Sequence, residues 1–411
     1  MSLFYKYNDR KINQIIVLVL VLISNNAFSQ QDQLKYKVKY PSDVKVGAER
    51  MEKYLPYLDG KSVGLLANHS SMVKNTHLVD TLISINIKVK KVFSPEHGFR
   101  GDADAGEFIK NNIDSKTGLP LISLYGSNKK PKVSDLKGIE VVVFDLQDVG
   151  ARFYTYISSM HYMMEACAEN NIQFLVLDRP NPNGFYVDGP VLEERFRSFV
   201  GMHPVPVVHG MTVGEYAQMI NEEGWLLNKV KCNLIVIPVE GYFHTDLYQL
   251  PIKPSPNLST MEAIYLYPSL CFFEGTIVSV GRGTDNAFSV IGHPSLKNTT
   301  YSYTPQSIPG ASKNPPYEGI ACKGYDLREQ GKLFTSSSPK LQMNWLIQTY
   351  KDTPENSLFF NSFFNSLAGN SILKQQIING VDERVIRAGW VDGIEKFKQI
   401  RRKYLLYEDF E

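Results

Sequence analysis

Between Ser62 and Ile237 short apolar runs alternate with amphipathic stretches of helical length. The runs are Val63 to Ala67, Val89 to Phe93, Leu121 to Leu124, Val141 to Phe144, Phe174 to Leu177, Val205 to Val208 and Leu234 to Ile237. Most place Val, Ile and Leu on consecutive positions, as strands buried on both faces of a parallel sheet do. Strands alternating with helices predict an α/β domain. The stretch Pro251 to Asn257, with Pro254-Ser255-Pro256, has the composition of a linker. Beyond it the pattern changes to hairpin-like strands at Thr276 to Val280 and Ala287 to Ile291. Near the end, Ile394, Phe397, Ile400 and Tyr404 recur at helical spacing within Val381 to Leu406. The expected organisation is an N-terminal extension over 30–61, a Rossmann-like domain over 62–258 and a smaller α/β domain over 259–411.

A dinucleotide-binding fold carries G-x-G-x-x-G after its first strand. Here the first run is followed by Asn68-His69-Ser70-Ser71, so a nicotinamide or flavin cofactor is disfavoured.

The first 29 residues read as a secretory signal, with Lys6, Arg10 and Lys11, an apolar run from Ile15 to Ile23, and Ala27-Phe28-Ser29 as cleavage site. An uncleaved anchor would need about 20 apolar residues to span the bilayer. The expected location is therefore periplasmic or secreted, with no stable membrane anchor. Cleavage removes three of the 44 basic and one of the 42 acidic residues, leaving 41 of each sign. A chain so balanced, without a basic stripe, predicts no nucleic-acid partner. Cys167, Cys232, Cys271 and Cys322 are far apart; the first three lie in apolar segments and are expected to be buried thiols. No CxxC or Cys/His cluster points to a metal site.

Polar residues follow several of the runs: Asn68-His69, Ser94-Pro95-Glu96-His97-Gly98, Asp145-Leu146-Gln147-Asp148 and Asp178-Arg179-Pro180-Asn181-Pro182. In an open parallel sheet the carboxyl ends of the strands converge on one crevice, where ligands bind. Two readings of Glu96 stand: a desolvated general acid whose raised pKa keeps its proton near neutrality, or a structural carboxylate that caps a helix or pairs with Arg100. Asp145 and Asp148, with Arg152, Tyr154 and Tyr156 behind them, can hold a sugar by hydrogen bonds and stacking, or form a helix start over a packed core. Glu165, four residues after His161 on the helix expected near Phe153, either faces the cleft or is solvated. Asp178, Arg179 and Asn181 stand in a proline-fixed turn that binds hydroxyl groups or only shapes the backbone. In the second domain Arg282 pairs with Asp285 or closes the cleft. Ser337-Ser338-Pro339-Lys340 matches S-x-x-K but lacks the helical setting, and Asp102-x-Asp104 lacks the other ligands of an EF-hand.

The segments SPEHGFRG (94–101), TGLPLISLYG (117–126), VVFDLQDVGARFYTY (142–156), VLDRPNPNG (176–184) and EGTIVSVGRGTDNAF (274–288), with Pro256-Asn257, together resemble the DUF1343, or NamZ, family of exo-β-N-acetylmuramidases. The resemblance runs in order from about Val63 to the C-terminus. It implies release of β-1,4-linked N-acetylmuramic acid (MurNAc) from non-reducing ends of peptidoglycan fragments. MurNAc-GlcNAc saccharides would be the partners, with no metal or organic cofactor, in a cleft between a Rossmann-like and a C-terminal domain. It favours Glu96 as acid/base residue and leaves Asp145, Asp148 and Glu165 as candidates for a second carboxylate. Asn68, His97, Arg100, Asp148, Arg152, Tyr154, Asp178, Arg179, Asn181 and Arg282 would bind the sugar, Arg152 through the lactyl carboxylate. A wall-binding protein without turnover is the rival reading; an esterase or amidase would need a nucleophile elbow or a Cys-His pair that the sequence does not display.

Overall fold

Side chains in the apolar runs alternate between two separate cores, which is why the runs are continuous in sequence. Val63, Leu65, Val141, Val143, Leu175 and Leu177 face one core, whereas Leu66, Val142, Phe144, Phe174 and Val176 face the other. With both faces covered, neither parity of the strand tolerates polar residues. In the computed structural model, residues 36–96, 98–100, 112–297, 299–336, 339–354 and 356–411 are described. The segment 1–29 expected to be a secretory signal, His97, the Asp102-x-Asp104 motif and Ser337-Ser338 lie outside them.

The main sheet contains β1 (Ser62–Ala67), β2 (Lys88–Ser94), β3 (Asn112–Ile113), β4 (Pro120–Ser123), β5 (Val141–Asp145), β6 (Gln173–Leu177) and β7 (Leu234–Ile237). Its order is β7-β6-β5-β1-β2-β4-β3, parallel except for β3 against β4. The chain leaves β1 toward β2 on one side and resumes with β5 on the other, so the switch point lies between β1 and β5, above Asn68 and Asp145. One core is closed by α1 (Leu78–Ser84) and by the segment before the sheet, whose Tyr54 and Leu58 are fully buried. The other is closed by α2 (Tyr156–Glu169) and α3 (Val213–Glu222).

After the sheet come α4 (Met261–Leu270), an antiparallel sheet of β8 (Val290–His293), β9 (Tyr301–Tyr303) and β10 (Cys322–Asp326) in the order β8-β10-β9, and the helices α5 (Arg328–Leu333), α6 (Met343–Asp352), α7 (Glu383–Ala388) and α8 (Val391–Arg401). The architecture is thus a Rossmann-like α/β sheet followed by a smaller α/β unit. One apolar cluster runs from Leu66 through Phe397, so both halves of the chain pack on a common core. All four cysteines are buried free thiols.

One expected strand needs correction, and two other expectations are refined. Val205 to Val208 is not a sheet strand: Pro206 lacks the ladder's N–H donor, and Val208 makes only isolated bridges to Ala151 and Asp188. Thr276 to Val280 is not itself a strand, but it does lie antiparallel to β8 through the paired Ser279 and Gly292 and through the Phe288 N–H on the Val280 carbonyl, while Thr276 bridges Phe360. Val381 to Leu406 is helical as expected, divided into α7 and α8 at Gly389-Trp390.

Candidate active site

The cavity that collects the chemistry is about 220 Å³ and opens beside the carboxyl ends of β2 and β4. Typical drug-sized sites span about 300–1,000 Å³, so this is a space for a small ligand. Glu96 lines it from the loop after β2, Tyr125 from the loop after β4, and Phe153 to Tyr156 from the turn into α2. The opposite wall comes from the second half of the chain: Ser255, Asn257, Tyr267, Glu274, Arg282, Phe288, Phe363 and Leu367. The supposed linker is therefore part of the site. Its Pro254 carbonyl accepts the hydroxyls of Tyr154 at 2.8 Å and Tyr156 at 3.4 Å, which stand edge to face with ring centroids 4.8 Å apart.

Glu96 is engaged by Tyr125, whose hydroxyl donates to it; burial and the nearby Glu96 charge push the phenol up to about 12. Across the cavity Arg282 binds Glu274 through Nε and Nη2, both on Oε1 at 2.8 Å. Among the described residues, that leaves Glu274 Oε2 with only the weak Cys271 thiol donor at 3.5 Å. Arg282 also lies over the Phe288 ring, 5.1 Å from its centroid. Its Nη1 has no partner among the described residues, and it is the one cation among the described residues lining the cavity.

Of the residues named from sequence as site candidates, Glu96, Tyr154, Tyr156 and Arg282 line this cavity. Arg282 pairs with Glu274, not with Asp285. Asn68 sits one layer behind, donating to Tyr156 Oη at 2.8 Å while its own carbonyl oxygen ties down Ser70.

The others do not line it, and each has a structural reason. Asp145 is fully buried against Arg179, which reaches both carboxylate oxygens at 2.6 and 2.9 Å. Glu165 faces Lys130 at 2.6 Å, His161 at 3.5 Å and the Leu227 N–H at 2.8 Å; although burial pushes it up, these partners outweigh burial and hold it at about 2. Both are corrections to their reading as catalytic carboxylates. Arg100 is held by Asp114 at 2.8 Å and Asp80 at 3.6 Å, so Glu96 is not its partner. Asp178, raised to about 7 by burial, accepts from Thr212, Gly214 and Tyr407 and so ties β6 to α3 and the C-terminal tail. Asn181 donates to Met211 and accepts from Asn183, a turn-building role.

Arg152 is the largest departure from expectation. Its guanidinium is fully buried and donates to four carbonyls, those of Pro190, Val205, Leu367 and Ala368, at 2.7 to 2.9 Å. It is a rivet between the two halves of the chain and cannot meet a substrate carboxylate. Gly369, at φ +75°, makes room for it, since a Cβ there would stand 2.7 Å from Nη2.

Asp148 is buried, its Oδ1 without a hydrogen-bond partner among the described residues, while Oδ2 accepts the Gly150 N–H at 2.6 Å. Burial pushes its carboxyl up to about 7. An acid whose folded pKa exceeds its unfolded value stabilises the fold at low pH, and this contribution fades as pH rises toward 7. Asp148→Asn, which mimics the neutral acid, should remove that dependence. The stability of the parent relative to the variant is expected to fall by up to about 1.4 kcal/mol per pH unit between roughly pH 4 and 7, read from chemical denaturation at several pH values. A parent-variant difference flat over that range would show that Asp148 is ionised throughout.

Sequence reasoning passed over Tyr125 and Glu274 as site residues. Tyr125 directly follows the run Leu121 to Leu124, so the carboxyl-end rule applied to that strand finds it. Glu274 stood beside Arg282 in a quoted motif, but nothing local says which acidic residue the arginine selects.

Comparison with known proteins shows the family. The family model described as exo-beta-N-acetylmuramidase NamZ, N-terminal, matches residues 63–262, and its C-terminal counterpart matches 265–407. The chain is 40% identical over 376 residues to the peptidoglycan beta-N-acetylmuramidase NamZ of Bacillus subtilis (strain 168), covering 86% of this chain and 89% of that protein. Two crystal structures of DUF1343 family proteins from Bacteroides fragilis NCTC 9343 are also similar. One has TM-score 0.81 at 45% identity, the other 0.71 at 27%, each covering 89% of this chain and 99% of its own. With matches spanning nearly the whole described chain, this protein belongs to the exo-β-N-acetylmuramidase NamZ family.

Proposed function

We propose that the chain is a glycosidase that hydrolyses β-linked N-acetylmuramic acid from the non-reducing ends of peptidoglycan fragments, MurNAc-GlcNAc units among them, outside the cytoplasm after removal of its signal segment. The observation that carries this reading is that Glu96 and Glu274 face one small, aromatic-walled cavity in a chain of this family. Glu96, engaged by the Tyr125 hydroxyl, gives its proton to the glycosidic oxygen as the bond to the anomeric carbon breaks. The positive charge that builds on the sugar ring is met by the Glu274 carboxyl group, which Arg282 binds and orients. Glu274 Oε2, free of the arginine, is the acceptor for the group that attacks the anomeric carbon. Water supplies hydroxyl to the sugar and its proton passes to Glu274 Oε2; after the products leave, Glu274 gives that proton to solvent and Glu96 takes one back, so the pair returns to its starting state. Tyr154, Tyr156 and Tyr267 offer ring faces and edges to the apolar side of the sugar, and Arg282 is the positive charge available to the lactyl carboxylate.

The reading is tested with para-nitrophenyl β-N-acetylmuraminide beside the corresponding N-acetylglucosaminide. Release from the muraminide alone is expected; equal release from both, or from neither by a folded protein, would refute it. Glu274→Gln is expected to lower kcat on the muraminide about 100- to 1,000-fold with a smaller change in KM, as loss of a transition-state charge does. A kcat within threefold of the parent would remove Glu274 from the mechanism.

A further inference from the structure

A second concave surface lies in the C-terminal unit and takes no part in the proposed reaction. It is a groove of about 620 Å³ between β9, β10 and α6. Its aromatic lining is Tyr301, Tyr325 and Trp345, all partly exposed, and its polar lining includes Thr300, Gln330 and Asn344. Among the described residues lining it there is no lysine or arginine. The walls are fixed: Tyr325 Oη donates to Asp352 at 3.0 Å, and Gln348 Nε2 bonds both oxygens of the same carboxylate at 3.0 Å. Asp326 is occupied by Arg328 at 2.6 Å. The indole N–H of Trp345 and the side-chain amides of Gln330 and Asn344 make no hydrogen bond among the described residues, and both amides are exposed.

Aromatic faces fixed beside uncommitted amide and hydroxyl groups, without a cation, are the chemistry that receives a neutral saccharide. Ring C–H faces lie on the aromatics, while hydroxyl and acetamide groups meet the amides. We propose that this groove is a second saccharide-binding site, separate from the catalytic cavity, that holds an N-acetylated glycan strand. The choice of N-acetylated glycan rests on the proposed activity; the binding of a neutral saccharide does not. Such a site keeps the polymer at the enzyme while the cavity works on its end, raising the effective concentration of chain ends.

The test uses the full mature chain in three forms: parent, Trp345→Ala, and the double variant Gln330→Ala/Asn344→Ala, whose side chains are exposed and leave the core intact. Co-sedimentation with insoluble peptidoglycan and calorimetric titration with an N-acetylglucosamine tetramer report on the groove. Hydrolysis of the small chromogenic muraminide reports on the cavity. Trp345→Ala is expected to weaken both kinds of binding about tenfold, the scale of one lost aromatic contact, and the double variant several-fold. Hydrolysis of the small substrate should stay within twofold. Unchanged binding in both variants overturns the proposal, and if Trp345→Ala does not fold, the double variant decides alone. A parent that binds glycan through this groove yet fails to cleave the muraminide would leave the groove standing and defeat the proposed activity.

Discussion

Glu96→Gln is expected to lower kcat on a β-N-acetylmuraminide about 100- to 10,000-fold, the range in which positioned proton donors act. The amide keeps the shape of the side chain and its hydrogen bond to Tyr125 but carries no transferable proton. KM should change little, because the sugar is held by the aromatic wall and Arg282. A leaving group that needs no protonation, such as dinitrophenol, should recover much of the rate in the bond-breaking step, whereas a merely structural role would show no such dependence. Loss of activity equal for good and poor leaving groups, with intact folding, would assign Glu96 another task.

The largest effect on stability is expected at Arg152. Burial pulls its pKa down to about 9, so it carries its charge at neutral pH with four carbonyls in place of a carboxylate partner. Arg152→Met fills the volume but strands those carbonyls in a dry interior. The cost should be about 3–5 kcal/mol, as for breaking a buried charged network, seen as a lower denaturant midpoint. Arg152→Lys keeps the charge without the planar fork and should fall between. Because Leu367, whose carbonyl it binds, also lines the cavity, substrate affinity should weaken in step with stability. A loss below 1 kcal/mol for Arg152→Met would contradict the rivet assigned to it.

The sheet was legible because burial on both faces leaves an unbroken apolar run wherever a central strand lies; six of the seven runs are sheet strands. Val205 to Val208 misled because a buried loop can be as apolar as a strand, and only Pro206 tells against pairing. The same logic limits the site. Asp145, Glu165, Arg152 and Asp178 stand where a crevice should open, but a polar residue at a strand end can equally knit the loops together, and these do. Local sequence cannot separate the roles, since an ion pair such as Asp145-Arg179 or Glu165-Lys130 is fixed by residues more than 30 positions apart. The wall supplied by Glu274, Arg282 and Phe363 belongs to the other half of the chain and becomes part of the cavity only when both halves fold onto one core.

The central claim is that this cavity removes N-acetylmuramic acid singly from glycan ends. Its most direct test is mass spectrometry of the products formed from a defined MurNAc-GlcNAc oligomer by the parent protein, with Glu96→Gln alongside. The account predicts free N-acetylmuramic acid and a remainder ending in N-acetylglucosamine from the parent, and an intact oligomer from the variant. Internal fragments without the free monosaccharide, or the same products from both proteins, would contradict it.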